Sequence, residues 1–239
     1  MSTPSEQDND RLAPVVAFDG PGGSGKGTLS RLVAARLGWH LLDSGALYRL
    51  VAVVAAREGW VPEKSADVER AAAAAAALDV AFPVAGDGSD TAVLLAGENV
   101  TAVIRDESVA RLASGFAAHP PVRTALLELQ RRLRRAPGLI ADGRDMGTVV
   151  FPDAELKLYI TASPDERARR RYEQLSLSGG GANIDQIYRD IVERDARDQA
   201  RAHSPMKPAA DAVEVDTTGE AVEQTLARVF GLLSERGLA

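Results

Sequence analysis

Residues 20–28, GPGGSGKGT, place five glycines, one lysine and one threonine directly after the apolar run VVAFD. Glycine adopts positive φ without penalty and lets backbone N–H groups approach a bound group closely. Several such N–H groups in a row form a concave, positively polarised nest. A helix starting near Ser24 adds its free N–H groups and the positive end of its dipole. Lys26 brings a full charge to the same spot. A cradle this small and this positive suits a phosphate chain. Gly20, Gly25 and Lys26 match G-x-x-x-x-G-K in its required setting between strand and helix. The segment Gly20, Pro21, Gly22, Gly23, Ser24, Gly25, Lys26, Gly27 and Thr28 is therefore the candidate phosphate loop. Gly27 stands where a hydroxyl residue is expected.

Three further stretches carry chemistry. Asp43 ends an apolar run and is followed by SGALYR. Carboxyl ends of strands in open α/β sheets face the ligand crevice, which puts Ser44, Tyr48 and Arg49 near it. Ser44 reads equally as a helix N-cap, and Arg49 as a solvated surface charge. In GLIADGRDMGT an apolar strand ends at Asp142, and Arg144 and Asp145 follow in a glycine-bounded turn. The plain alternative is a local ion pair. In ERDARDQAR, Arg194, Asp198 and Arg201 share one helix face, either as ligands or as a salt-bridge row. Only four of the 28 basic residues are lysine, and eight arginines fall between Arg167 and Arg201. Arginine offers phosphate a planar fork of donors that lysine lacks.

The elements that position these groups are legible as alternation. Apolar runs near 14–19, 40–43, 138–142, 156–161 and 212–216 read as strands buried on both faces of a parallel sheet. Helices are expected near 25–37, 45–58, 121–135, 164–177, 185–201 and 218–236, the last with a capping box from Thr217 and Glu220. Between Gly59 and Gly115 the rhythm breaks for longer than any ordinary loop. That stretch reads as an insert: an alanine-rich helix, then a small antiparallel unit with a turn at GDGSD. LSLSGGG at 175–181 reads as a mobile flap.

At 239 residues, with 45% hydrophobic and 26% charged residues, the chain has the totals of a globular α/β protein. A net charge of −6 argues against nucleic acid as the main partner. The absence of cysteine excludes disulfides and thiolate metal sites. His40, His119 and His203 are scattered and read as structural or surface residues. The opening MSTPSEQDND has no signal-peptide character and no run reaches the length of a membrane span, so a cytoplasmic location is expected, and with no obvious association stripe a monomer is expected.

Taken in order, GPGGSGKGT, WHLLDSGALYR, PGLIADGRDMGTVVFPDA and ERDARDQAR…PAADA resemble the bacterial cytidylate kinase family from about Pro14 to the C-terminus. The resemblance implies an α/β P-loop NTPase with a five-stranded parallel sheet. Its core would comprise 13–58 and 116–239, its inserted α+β NMP-binding domain 59–115, its lid 172–187 and its tail 1–12. It implies phosphoryl transfer from ATP to CMP or dCMP with Mg²⁺. Lys26 and the loop N–H groups would hold the β- and γ-phosphates. Arg49, Arg144 and Arg201 would hold the acceptor phosphate, Asp198 with Arg194 the sugar, and Arg170 would close onto the transferring group. Asp145 would take the cytosine amino group, with Ser114 and Arg123 as partners. In nucleoside-monophosphate kinases the loop's hydroxyl comes one place later, making Thr28 the candidate near magnesium, with no firm metal ligand named. Rival readings are a UMP or AMP kinase, a GTP-binding switch (no N-K-x-D occurs) and a nucleotide-binding protein without turnover.

Overall fold

The computed structural model describes residues 12–84, 92–177, 183–200 and 204–239. The elements run β1 (Val15–Asp19), α1 (Lys26–Leu37), β2 (His40–Asp43), α2 (Ser44–Glu58), α3 (Ser65–Ala76), β3 (Val80–Ala81), β4 (Leu94–Leu95) and β5 (Glu98–Asn99). There follow α4 (Glu107–Phe116), α5 (Pro120–Arg132), β6 (Leu139–Asp142), β7 (Leu156–Thr161), α6 (Pro164–Leu177), α7 (Ile184–Gln199), β8 (Val213–Asp216) and α8 (Val222–Glu235).

Five strands form one parallel sheet in the order β2-β6-β1-β7-β8, with β1 at its centre. The register pairs Phe18 with Asp142, Asp142 with Asp43, Asp19 with Tyr159, and Thr161 with Asp216. All five carboxyl ends therefore line one edge, and four of the five strands end in aspartate: Asp19, Asp43, Asp142 and Asp216. Apolar side chains alternate across the sheet, as the two-residue strand period demands. Val15, Ala17, Leu42, Leu139 and Ala141 pack with α2, α3, α4 and α5. Val16, Phe18, Ile140, Leu158, Ile160 and Val215 pack with α1 and α8. A run of residues buried on both faces is what the continuous apolar strands require.

The insert holds the expected alanine-rich helix, α3, and a three-stranded antiparallel sheet in the order β3-β4-β5. The GDGSD turn lies outside the described residues, as do parts of the flap and of the expected lid. The sequence reading assigned no helix to 107–116, where α4 packs Val109, Ala113 and Phe116 into the core shared with α2. The last helix starts four residues later than expected. The Thr217–Glu220 box is not its cap: the Ala221 N–H donates to Gln224 Oε1 at 3.2 Å instead. Among the described residues no helix is long and apolar enough to cross a membrane.

Candidate active site

The glycine loop leaves β1 with Gly20 at φ +135°, and Gly23 and Gly25 at φ +81° and +88°. These are the angles that L side chains avoid. At Gly20 a Cβ would lie 2.0 Å from the Ile160 carbonyl oxygen of the neighbouring strand, which cannot retreat without tearing the sheet. Gly20→Ala is expected to cost at least about 2 kcal/mol, read from its denaturation midpoint. An unchanged midpoint would contradict the close packing of the loop on β7. Ser24 Oγ donates to the Pro21 carbonyl at 3.0 Å and closes the loop on itself.

Gly25, in the left-handed region, is the N-cap of α1 and offers no side-chain acceptor; the first turn of α1 has no acidic residue. The helix's leading N–H groups are thus left for an incoming anion. Lys26 folds back over the loop, its Nζ 3.5 Å from the Pro21 carbonyl and 3.8 Å from Asp142 Oδ1. Burial holds its pKa below the usual lysine value, opposed by the Asp142 charge. Gly27 faces the same carboxylate: a Cβ there would meet Asp142 Oδ2 at 3.2 Å, closer than ordinary contact.

Asp142 ends β6 in the buried edge between α1 and the loop, and burial pushes its pKa up to about 6 in spite of Lys26. Ser30 Oγ reaches its Oδ2 at 3.5 Å. Asp19, at the end of β1, accepts from the Met146 and Gly147 N–H groups at 2.8 Å each. It thereby fixes the π turn Met146–Val150 that follows Asp145. Burial pushes Asp19 up to about 7. Between the unfolded value of 3.8 and about 7 the folded chain keeps a proton that the unfolded chain has released. This contribution to stability is therefore fullest below pH 4 and is lost as pH rises through 7. Stability of the parent is expected to fall relative to Asp19→Asn by up to about 1.4 kcal/mol per pH unit in that window. Parallel pH profiles in denaturant titration would contradict it.

Arg144 and Asp145 diverge from their turn to different partners. Arg144 Nη1 pairs with Asp198 Oδ2 of α7 at 2.8 Å, and its Nη2 lies 3.3 Å from where a Gly22 Cβ would stand. Asp145 Oδ2 accepts from Arg123 Nη2 of α5 at 2.6 Å, and the Arg123 guanidinium sits 5.7 Å from the Tyr48 ring centre. Both members of that pair are largely buried. Tyr48, Arg123 and Asp145 line a cavity of about 140 Å³ with Pro120, Thr124 and Gln130. The two halves of "DGRD" thus face the phosphate loop and a separate polar pocket, which the local ion pair of the plain alternative does not describe.

Arg170 is tied back on α6. Its Nε donates to Glu166 at 2.8 Å, its Nη1 to Thr217 Oγ1 at 3.1 Å and its Nη2 to the Thr217 carbonyl at 2.6 Å. In that pose Nη1 stands 3.5 Å from a Cβ built on Gly25, so Arg170 borders the loop. Thr217 Oγ1 also contacts the Ser24 carbonyl at 2.9 Å, joining β8 to the loop. Ser44 is buried at the first position of α2, but Asp43 is the cap, accepting from the Ala46 N–H at 3.0 Å. Arg49 is half-buried on α2. Arg194 stands close enough to act on the charge of Lys26. Ser114 is met by Arg197 Nη1 at 3.5 Å. Arg201 lies outside the described residues. Four residues at this edge are not marked by the sequence motifs: Asp19, Asp142, Thr217 and Arg167, whose Nη1 donates to the Gly22 carbonyl at 3.3 Å. Asp19 and Asp142 do carry a sequence signal, since each ends an apolar strand beside the glycine loop or the GRD turn.

A central parallel strand, a glycine loop and an uncapped helix beneath a lysine define a P-loop nucleotide-binding protein. The chain belongs to the cytidylate kinase family, whose model matches residues 16–235. Cytidylate kinase of Stutzerimonas stutzeri is 51% identical over 95% of this chain and 97% of its own. Those of Pseudomonas fluorescens and Pseudomonas putida (strain W619) are 50% and 52% identical, each over 95% of this chain and 98% of its own.

Proposed function

We propose that the protein transfers the γ-phosphoryl group of ATP to CMP or dCMP, yielding ADP and CDP or dCDP. The observation that carries this reading is the pairing of two sites along one sheet edge. One is a phosphate cradle at Gly20–Thr28, and the other is the Tyr48–Arg123–Asp145 pocket, with the Arg144–Asp198 pair beside the loop. Family membership supports the same pair of substrates.

Lys26 and the loop N–H groups bind the β- and γ-phosphates. Arg49, Arg144 and Arg201 hold the acceptor phosphate, while Arg194 and Asp198 take the sugar. Arg170, now held by Glu166 and Thr217, is placed to swing onto the transferring phosphoryl. An acceptor phosphate oxygen attacks the γ-phosphorus in line, the bond to the β-oxygen breaks, and ADP leaves with that electron pair. Such a transfer needs positioning and charge neutralisation more than covalent help. At the base, Asp145 accepts from the cytosine amino group and is itself held by Arg123, with Ser114 as a further partner of the base. Uracil presents a carbonyl there, which a carboxylate repels.

Mg²⁺ bound with the triphosphate supplies charge neutralisation on the β- and γ-oxygens. The residues present fit it: Asp142, buried at the end of β6 and 3.8 Å from Lys26, would offer a hard carboxylate oxygen, and Thr28 is the hydroxyl residue of the loop. Among the described residues no group of three or more His, Asp or Glu side chains could hold a metal ion. The phosphates and water would therefore complete the shell. The protein is taken to act as a cytoplasmic monomer, with 59–115 as the acceptor-side lobe.

A coupled assay of ADP release with CMP, dCMP, UMP and AMP tests the reading. Turnover with CMP and dCMP at least tenfold above UMP and AMP is expected. A preference for UMP or AMP, or no turnover, would overturn it.

A further inference from the structure

Helix α7 carries two of the groups assigned to the acceptor, yet little apolar burial holds it in place. Of its residues only Asp198 is buried, and Ile184, Tyr188 and Val192 are 44%, 38% and 42% exposed. What fastens its last turns is charge. Asp198 Oδ2 meets Arg144, and one turn earlier Asp195 Oδ2 meets Arg167 Nη1 at 2.6 Å. Arg167 is 4% exposed, which makes it the most deeply buried arginine in these ion pairs. Its Nε donates to the Ala162 carbonyl at 3.0 Å, and Nη1 donates to the Gly22 carbonyl of the phosphate loop at 3.3 Å. Its Cβ stands 3.2 Å from where a side chain on Gly23 would begin. Two carboxylates three residues apart on α7 are therefore each gripped by an arginine that borders the phosphate loop, Arg144 beside Gly22 and Arg167 against Gly22 and Gly23.

We propose that Arg167 and Asp195 are a positioning pair that sets α7, and with it Arg194 and Asp198, at a fixed distance from the phosphate loop. The proposal rests on the kinase reading above. Arg167 suits the task because its planar fork can serve the loop carbonyl and the α7 carboxylate from one buried, rigid group, which a lysine cannot do. Asp195 reaches the loop only through Arg167, whose bonds to the Ala162 and Gly22 carbonyls do not need it, so its loss falls first on α7 and the acceptor side. An acceptor seat displaced by a fraction of an ångström loses affinity for CMP while the donor cradle keeps its own.

The test is steady-state kinetics of Asp195→Ala and Asp195→Asn beside the parent protein, with thermal melting to establish folding. Asp195→Asn keeps an acceptor for Arg167 and serves if the alanine variant fails to fold. The KM for CMP is expected to rise roughly tenfold in Asp195→Ala and about threefold in Asp195→Asn. The kcat and the KM for ATP are expected to stay within about threefold of the parent. The CMP-to-UMP ratio of kcat/KM is expected to hold, because the base pocket at Asp145 is untouched. Arg167→Lys should reproduce the rise in the CMP KM, since it keeps the charge and loses the fork. An unchanged KM for CMP in a folded Asp195 variant overturns the proposal, as does an equal loss in every kinetic parameter. A parent protein that does not phosphorylate CMP sinks the kinase reading instead, so the two failures are told apart.

Discussion

Lys26→Met is expected to lower kcat by about two to three orders of magnitude while leaving the fold intact. The ammonium stands inside the curve of the loop, within 3.5 Å of the Pro21 carbonyl, where the charge of a transferring phosphoryl group would gather. Methionine matches the length of the stem and removes only the charge. The side effect to weigh is Asp142, whose Oδ1 lies 3.8 Å from the ammonium. With Lys26 present its pKa is already about 6, because burial outweighs the lysine's attraction. Without Lys26 the attraction that opposes burial is lost, so the carboxyl shifts further toward its neutral form and less buried charge is stranded. The loss therefore belongs in kcat and not in the melting temperature. Single-turnover rates at saturating ATP and CMP, together with a thermal melt, separate the two. Parental turnover would contradict the assignment of the loop.

Asp145→Ala carries the second large effect, and it falls on discrimination. The carboxylate is held by Arg123 at 2.6 Å in a pocket where both groups are about nine-tenths buried. Removing it deprives the cytosine amino group of its acceptor, at about 1–3 kcal/mol, or roughly ten- to hundredfold in kcat/KM for CMP. The same change releases Arg123, a donor, toward the place where uracil presents a carbonyl. UMP is therefore expected to lose less than CMP or to gain, and the CMP-to-UMP ratio to approach one. Asp145→Asn should move further toward UMP, since the amide offers a donor. A ratio unmoved in both variants, with the proteins folded, would show that the base is read elsewhere.

Much of the frame was legible because its signals are local. VVAFD, HLLD and LIAD are short apolar runs that only a strand buried on both faces accommodates, and each ends in the aspartate that marks the sheet edge. The glycine loop was legible for the same reason, since Gly20 and Gly25 have the backbone angles that the pattern presupposes. The setting of Gly27 was not, because the atom it faces, Asp142 Oδ2, comes 115 residues later in the chain. Helix α4 was hidden inside an insert whose glycines and short polar runs masked its apolar stripe of Val109, Ala113 and Phe116. Thr217 looked like the start of a capping box, and only the fold of β8 beside the loop turns it into the anchor of Arg170. Arg167 was indistinguishable from its neighbours in RARRR. Whether an arginine in a charged helix meets solvent or a loop carbonyl depends on what the sheet brings beneath it.

Crystals of the protein grown with CMP and a non-hydrolysable ATP analogue would test the central claim most directly. The account predicts the analogue's terminal phosphates within hydrogen-bond distance of Lys26 and the N–H groups of residues 22–28, and the cytosine amino group on the Asp145 carboxylate. A triphosphate bound away from the loop, or a cytosine ring outside the Tyr48–Arg123–Asp145 pocket, would contradict it.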